Sequence, residues 1–330
     1  MTNYDYDIGI IGAGAGGLTV AAGAAQLGAK TLLIEKENEL GGDCLHFGCV
    51  PSKTLIRSAH VYHLMQNAEK FGLPKIDAPP VEFQKISERV RSVIEDIQHH
   101  DSVERFCGLG ARVEFGRPNF KDEHAVGLNG KNYTARSWVI ATGSSAIIPP
   151  IKGLDGTPYI TNREIFYLDH LPKSMIVLGA GPIGVEMAQA FTRFGTAVAV
   201  VDMAPRILPK DDSDLTHEVM EILSAEGVRF YTSHTIEAVK DLGNEREVIV
   251  KDKSDKAGNT IRLKAEALLV ALGRVANVEG LGLEGIDVEH DRRGIKVDTR
   301  MRTNHKHIYA VGDVNGGFQF THTAGYEGGI

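Results

Sequence analysis

Two thiols, Cys44 and Cys49, stand five residues apart in the run GGDCLHFGCVPSK that extends from Gly41 to Lys53. In a regular helix, residues five apart have Cα atoms roughly 8–9 Å from each other. A disulfide needs about 4.4–6.8 Å. The pair can therefore bridge only if the backbone bends between them, and Gly41, Gly42 and Gly48 permit such a bend. Two buried apolar residues, or part of a metal site, are the alternatives. Metal sites draw on four Cys or His ligands with tighter Cys spacing. His46 lies between the thiols, but no second close pair exists. The run follows directly on a dinucleotide-type fingerprint ending at Glu35, which favours electron exchange between a cofactor and a dithiol.

That fingerprint occurs twice. An apolar run, Ile8–Ile11, enters Gly12, Gly14 and Gly17 in a GxGxxG turn; an Ala-rich helix follows to about Leu27, and Thr31–Ile34 ends at Glu35. Met175–Leu178 likewise enters Gly179, Gly181 and Gly184, a helix runs to about Phe194, and Ala197–Val201 ends at Asp202. In both copies the acid lies 23 residues after the first glycine, and a further glycine (Gly28, Gly195) lies 16 after it. The first glycine allows the tight turn, the second lets backbone approach a pyrophosphate, and the third lets helix and strand pack closely. The helix N-terminus offers unpaired N–H groups and partial positive charge to the phosphates, and the acid accepts from a ribose. One GxGxxG is weak evidence, since glycine turns also serve packing. Two flanked copies predict two bound dinucleotides.

Both copies continue alike. Apolar-alternating pieces from Ala111 to Val139, with an Asn129-Gly130 turn, lead to Ile140 and then Thr142-Gly143; short strands between Val228 and Leu263 lead to Val270 and then Gly273. These read as β-meanders feeding a final parallel strand. The first half alone carries a helical insertion. Residues 51–71 set Leu55, Ile56, Ala59, Leu64, Met65, Ala68 and Phe71 mostly at helical spacing, and a second helix spans about 82–106. After Gly273 the chain returns through Ile308–Val311 to Gly312-Asp313, which aims Asp313 at a polyol hydroxyl of the first cofactor. The expected fold is α/β, with two Rossmann-like dinucleotide-binding domains, each with a parallel sheet and a β-meander. The expected bounds are 1–150 for the first part of the first dinucleotide domain, 151–277 for an inserted second dinucleotide domain and 278–330 for the return segment of the first.

Taken together, these residues resemble the flavoprotein disulfide reductases (class I pyridine nucleotide-disulfide oxidoreductases), among them dihydrolipoamide dehydrogenase, glutathione reductase and mercuric reductase. The likeness covers essentially the whole chain. It implies FAD on the first glycine motif and a nicotinamide nucleotide on the second. By position, Cys49 would face the flavin and Cys44 would exchange with substrate; Lys53 would lie near the flavin and pair with Glu186. Glu35 would hold the adenosine ribose, while Gly42, Asp43, Thr142, Gly143, Gly312, Asp313 and Thr321 would line the FAD site and Gly273 the nicotinamide nucleotide site. Asp43 stands where relatives commonly have Thr, and Pro182 where they often carry an aromatic residue. Asp202 favours NADH over NADPH, because a carboxylate repels a 2′-phosphate, although Arg206, four residues on, could accommodate one.

The resemblance implies a third, C-terminal domain that forms a dimer and donates a His–Glu pair. This chain reaches only Ile330, so a monomer or weak dimer is expected of it and a homodimer of a longer form. Three activities follow: an NADH:disulfide oxidoreductase core of the dihydrolipoamide dehydrogenase kind acting on a small-molecule or protein disulfide, a mercuric reductase-like core reducing a soft metal ion, or a cofactor-binding fragment with diaphorase activity alone. Composition agrees with an ordinary globular protein, at 42% hydrophobic and 24% charged residues. A net charge of −7 gives no reason to expect nucleic acid or an anionic membrane. Residues 12–29 are nearly uncharged but are explained by the βαβ unit, so no membrane span is expected. No resident metal is expected. Three cysteines, with Cys107 read as a buried small hydrophobe near a helix end, point to a reducing, cytoplasmic setting.

Overall fold

The computed structural model describes residues 4–255 and 257–330. The chain divides into two compact units, the first formed by Met1–Gly48, Ile94–Ser145 and Arg274–Ile330, the second by Cys49–Val93 and Ala146–Gly273.

Along the chain come β1 (Tyr6–Ile11), α1 (Ala15–Gln26), β2 (Thr31–Glu35), α2 (Gly42–His46), α3 (Cys49–Gln66), α4 (Phe83–Gln98) and α5 (Val103–Gly108). They are followed by β3 (Ala111–Phe115), β4 (Asn119–Asp122), β5 (Ala125–Leu128), β6 (Lys131–Ile140) and β7 (Ser144–Ala146). The next stretch holds β8 (Ser174–Leu178), α6 (Pro182–Phe194), β9 (Ala197–Val201), α7 (Ser213–Ala225), β10 (Arg229–Tyr231), β11 (His234–Asp241), β12 (Arg246–Asp252), β13 (Thr260–Ala265) and β14 (Ala267–Val270). The remainder is β15 (Arg274–Ala276), β16 (His290–Asp291), β17 (Gly294–Ile295), β18 (Ile308–Ala310) and α8 (Thr321–Gly329).

In the first unit, β3, β2, β1 and β6 lie side by side and parallel. Strand β6 is long enough to serve two sheets. Its first residues, Lys131–Thr134, pair antiparallel with β5, and its last, Trp138–Ile140, pair parallel with β18. The β5–β6 hairpin closes through Asn129 and Gly130, both at positive φ (52° and 77°), the backbone that a two-residue turn between twisted strands requires. All five residues of β2 are buried, as expected for a strand covered on both faces. Trp138 is fully buried and lies over Gly9, where a Cβ would come within 2.2 Å of its ring.

The second unit repeats the pattern. Strands β10, β9, β8 and β14 are parallel, and β11, β12 and β13 form a separate antiparallel sheet. Against α6, Phe83 of α4 packs between Phe191 and Phe194, with ring centroids 5.8 and 6.1 Å away.

Four local expectations change. The first piece of each expected meander, β3 and β10, is instead the third parallel strand, because its apolar pattern fits either sheet and only the partner decides. The helix read over 82–106 breaks after Gln98, where Ser102 caps a new helix by accepting from the Arg105 N–H. Met65 and Phe71 are exposed rather than packed. Cys107, expected to be buried, is exposed.

Two predictions follow from these contacts. A Cβ on Gly17 or Gly184 would lie 1.9 or 2.0 Å from the carbonyl oxygen of Gly12 or Gly179. Gly17→Ala and Gly184→Ala are therefore each expected to destabilise the protein by roughly 1–3 kcal/mol in denaturant titration, despite alanine's better helix propensity. The second prediction concerns β18, which is entered through His307. The ring of His307 stacks on His124 at 4.1 Å, its Nε2 is buried with no hydrogen-bond partner among the described residues, and Glu123 and His305 face it. Burial first, then the neighbouring His124, lowers its pKa below 6.5. The unfolded chain then takes the proton more readily, so stability is retained above about 6.5 and falls as pH drops through that value. Melting temperature measured from pH 7.5 to 5 should decline, with a shallower decline in His307→Gln.

Candidate active site

The two glycine turns have the same geometry. Gly12 and Gly179 sit at φ +102° and +107°, and a Cβ on either would lie 2.4 or 2.3 Å from the carbonyl oxygen of Ala141 or Ala271. Only glycine tolerates both the backbone and the contact. Gly14 and Gly181 then precede α1 and α6 in extended conformation, and among the described residues no side chain caps either helix. The first-turn N–H groups are thus available to an anionic ligand.

The acids have a structural duty that the sequence did not suggest. Glu35 Oε2 accepts from the Ala13 N–H at 2.6 Å, and its Oε1 accepts from the Lys36 and Glu37 N–H groups at 2.7 and 2.9 Å. In the second copy, Asp202 accepts from the N–H groups of Ala180 at 2.6 Å and Ala204 at 2.7 Å. Each acid therefore holds its glycine turn shut. A carboxylate has about four lone-pair sites, which leaves capacity for a ribose hydroxyl.

In the first unit, the loop bearing Cys44 docks on the first turn. The Gly41 N–H donates to Ala13 O at 2.9 Å, and Gly42, at φ +62°, approaches so closely that its Cβ would lie 2.6 Å from Gly14 Cα. Thr142 Oγ1 donates to Asn277 O, whose own Nδ2 donates back to Thr142 O, at 2.7 and 2.8 Å. Asn277 went unnoticed in the sequence because it lies 135 residues from Thr142, outside any motif. Gly143 is at φ +67° with open space around it. The Gly312 N–H donates to Glu327 at 2.7 Å, and Asp313 accepts from the Ser144 hydroxyl at 2.5 Å. Asp43 is ion-paired with Arg274 at 3.0 Å. Thr321 begins α8 and is exposed.

The break between the cysteines is real. Helix α2 ends at His46 and α3 begins at Cys49, with Gly48 between them so close to Asp43 O that a Cβ would lie 2.8 Å away. Cys44 is half-buried in the first unit, and Cys49 is exposed at the head of α3 in the second. His46 is buried, its Nε2 within 3.0 Å of Leu40 O, a position that suits anchoring of the loop.

In the second unit, Lys53 lies one helical turn after Cys49, and its Nζ is 2.6 Å from Glu186 Oε1. Glu186 lies two residues beyond Gly184 on α6. Side-chain exposures of 59% and 37% mean that this pair adds little stability, about 0–1 kcal/mol. Its consequence is positional, because it ties the helix headed by Cys49 to the helix headed by the second glycine turn. Gly273, at φ +116°, is exposed.

The uncapped helix heads and the space beside Gly143 and Gly181 suit two dinucleotides. A family model described as pyridine nucleotide-disulphide oxidoreductase matches residues 6–328. The chain belongs to that family. It is 35% identical to a dihydrolipoyl dehydrogenase of Bacillus subtilis, over 98% of this chain and 70% of that protein. It is 34% identical to a mercuric reductase of Bacillus cereus, over 99% of this chain and 51% of that protein. Among solved structures, the HOCl-induced flavoprotein disulfide reductase RclA from Escherichia coli superposes with a TM-score of 0.86 at 28% identity, covering 98% of this chain and 70% of that one. This pyridine nucleotide-disulphide oxidoreductase is accordingly an FAD-dependent oxidoreductase with a nicotinamide nucleotide as its second cofactor. None of the helices among the described residues is long and apolar enough to cross a membrane.

The exposure of Cys107 on α5 makes it a labelling site in the native fold. Titration of the reduced native protein with a thiol reagent should lose one fast-reacting equivalent in Cys107→Ser. An unchanged count would place that thiol inside.

Proposed function

We propose that this chain is the cofactor-binding and dithiol core of an NADH:disulfide oxidoreductase of the dihydrolipoamide dehydrogenase kind. The observation that carries the proposal is the Lys53–Glu186 pair, which joins the Cys49 helix to the nucleotide-binding helix within one unit.

FAD, when bound, supplies the two-electron exchange between nicotinamide and thiols. The chain's own residues do the rest. The Gly12–Gly17 and Gly179–Gly184 turns receive the pyrophosphates, while Glu35 and Asp202 receive ribose hydroxyls. Thr142, Gly143, Gly312, Asp313 and Thr321 line the remainder of the FAD site, and Gly273 lies on the nicotinamide nucleotide side. In the reduced protein, the Cys44 thiolate attacks one sulfur of the substrate disulfide, forming a mixed disulfide and expelling the first thiol. The Cys49 thiolate then attacks the Cys44 sulfur, which expels the second thiol and leaves a Cys44–Cys49 disulfide. Two electrons have left the dithiol and two protons are taken up by the products.

NADH is the favoured reductant. The Asp202 carboxylate is fixed at the end of β9 by the two N–H groups it accepts, and it repels a 2′-phosphate there. Arg206 is engaged elsewhere, donating to Thr216 Oγ1 at 2.9 Å and to the carbonyl of Pro209 at 2.9 Å.

A second reading rests on the likeness to mercuric reductase, with a soft metal ion as the substrate of the two thiols.

The test is an anaerobic visible spectrum before and after NADH. A yellow protein that develops a long-wavelength charge-transfer band on NADH, loses that band in Cys49→Ser and responds far less to NADPH supports the proposal. A colourless protein, or a flavin that NADH leaves oxidised, would overturn it. NADH oxidation driven by a mercuric salt but not by lipoamide would select the second reading.

A further inference from the structure

Arg274, the residue after Gly273, has a side chain only 14% exposed. Its Nη2 lies 3.0 Å from Asp43 Oδ2 and donates to Ser144 O at 2.8 Å, and its Nε donates to Ser144 Oγ at 2.7 Å. Ser144 Oγ passes a hydrogen bond on to Asp313 Oδ2 at 2.5 Å, and Arg274 Nε is itself 3.9 Å from that carboxylate. One guanidinium thus gathers three segments, the α2 loop, the stretch after Thr142-Gly143 and the Gly312-Asp313 turn. All three lie in the first unit.

Two carboxylates, Asp43 and Asp313, lie 3.0 and 3.9 Å from this one guanidinium. Asp43 lies between Gly42, which packs on the first glycine turn, and Cys44. A bare carboxylate there would push back any anionic group held by that turn. A planar fork can meet Asp43 and Ser144 together, which a lysine ammonium cannot do in the same geometry.

We infer that Arg274 is a positioning residue that pins the α2 loop, and Cys44 with it, to the Ser144 and Asp313 segments, and that it neutralises Asp43 so that this loop accepts the phosphates of FAD. This rests on the reading of the first glycine turn as the FAD site. Ser144 and Asp313 supply the frame; the Asp43–Arg274 pair makes the frame electrically compatible with its ligand.

The test is a mutant cycle on the full chain, read as FAD affinity from flavin fluorescence quenching, with circular dichroism and melting as folding controls. Arg274→Met should weaken FAD binding ~10-fold, because Asp43 and Asp313 lose the guanidinium beside them and the Ser144 contacts go with it. Adding Asp43→Asn should recover at least ~5-fold of that loss, since neighbouring charges are not additive. A purely structural arginine would show no such rescue, because the Ser144 and Asp313 contacts stay broken in the double variant. Should Arg274→Met fail to fold, Arg274→Gln, which keeps a hydrogen-bonding side chain without the charge, carries the same test. Asp43→Asn should then tighten FAD binding in the glutamine background and change it little in the wild type. Equal effects of Asp43→Asn in both backgrounds, in a wild type that binds FAD, overturn this inference alone. A wild-type chain that takes up no FAD overturns the functional reading as well.

Discussion

A carbonyl oxygen stands where a methyl group on residue 12 or residue 179 would have to be. Ala141 O, just after β6 in one unit, and Ala271 O, just after β14 in the other, close on the first glycine of each turn. The same turn is held from a second side by a carboxylate at the end of β2 or β9, which takes an N–H from the residue after that glycine. Strand, turn, helix and acid are thereby locked at one point, and the uncapped helix N–H groups face outward. Every other part of each site is placed relative to that point. Gly42 and the Cys44 loop dock on Gly14 in the first unit, and Glu186 follows Gly184 on α6 in the second.

The same constraint explains why glycine and acidic residues recur at equal spacing. The spacing does more than leave an acid near a ribose. It sets the length of helix and strand needed to bring a carboxylate back to the turn from which the helix began. Glu35, 6% exposed, satisfies the buried Ala13 N–H, which would be costly to leave unmet, and the part-buried N–H groups of Lys36 and Glu37.

Charge is handled differently in the two units. In the second, Lys53 and Glu186 meet as a partly exposed pair of opposite sign, weak in energy but specific in placement. In the first, Arg274, itself only 14% exposed, sits among two partly exposed carboxylates and a serine. One arrangement aligns helices that solvent still reaches, while the other reconciles acidic residues with a loop that approaches the glycine turn.

Much of this could be read from the chain alone, for a physical reason. Close approach without a side chain, a turn at positive φ and a bend between two thiols are demands that only a few residue types meet, so Gly12, Gly17, Gly48 and the Asn129-Gly130 turn carry their geometry in their identity. The same holds for the two βαβ repeats, whose apolar runs and small residues leave few other folds. What the chain did not reveal depends on partners distant in sequence. The alternation in Ala111–Phe115 and Arg229–Tyr231 suits a meander or a parallel edge equally, and β2 and β9 decided between them. Cys107 looked like a buried hydrophobe until α5 turned it outward, and Asn277 and Arg274 acquire meaning only when folding brings them to Thr142, Ser144 and Asp43. Local backbone demands are written in residue type, whereas the pairing of charges and strands across more than a hundred residues is decided by the tertiary fold that brings them together.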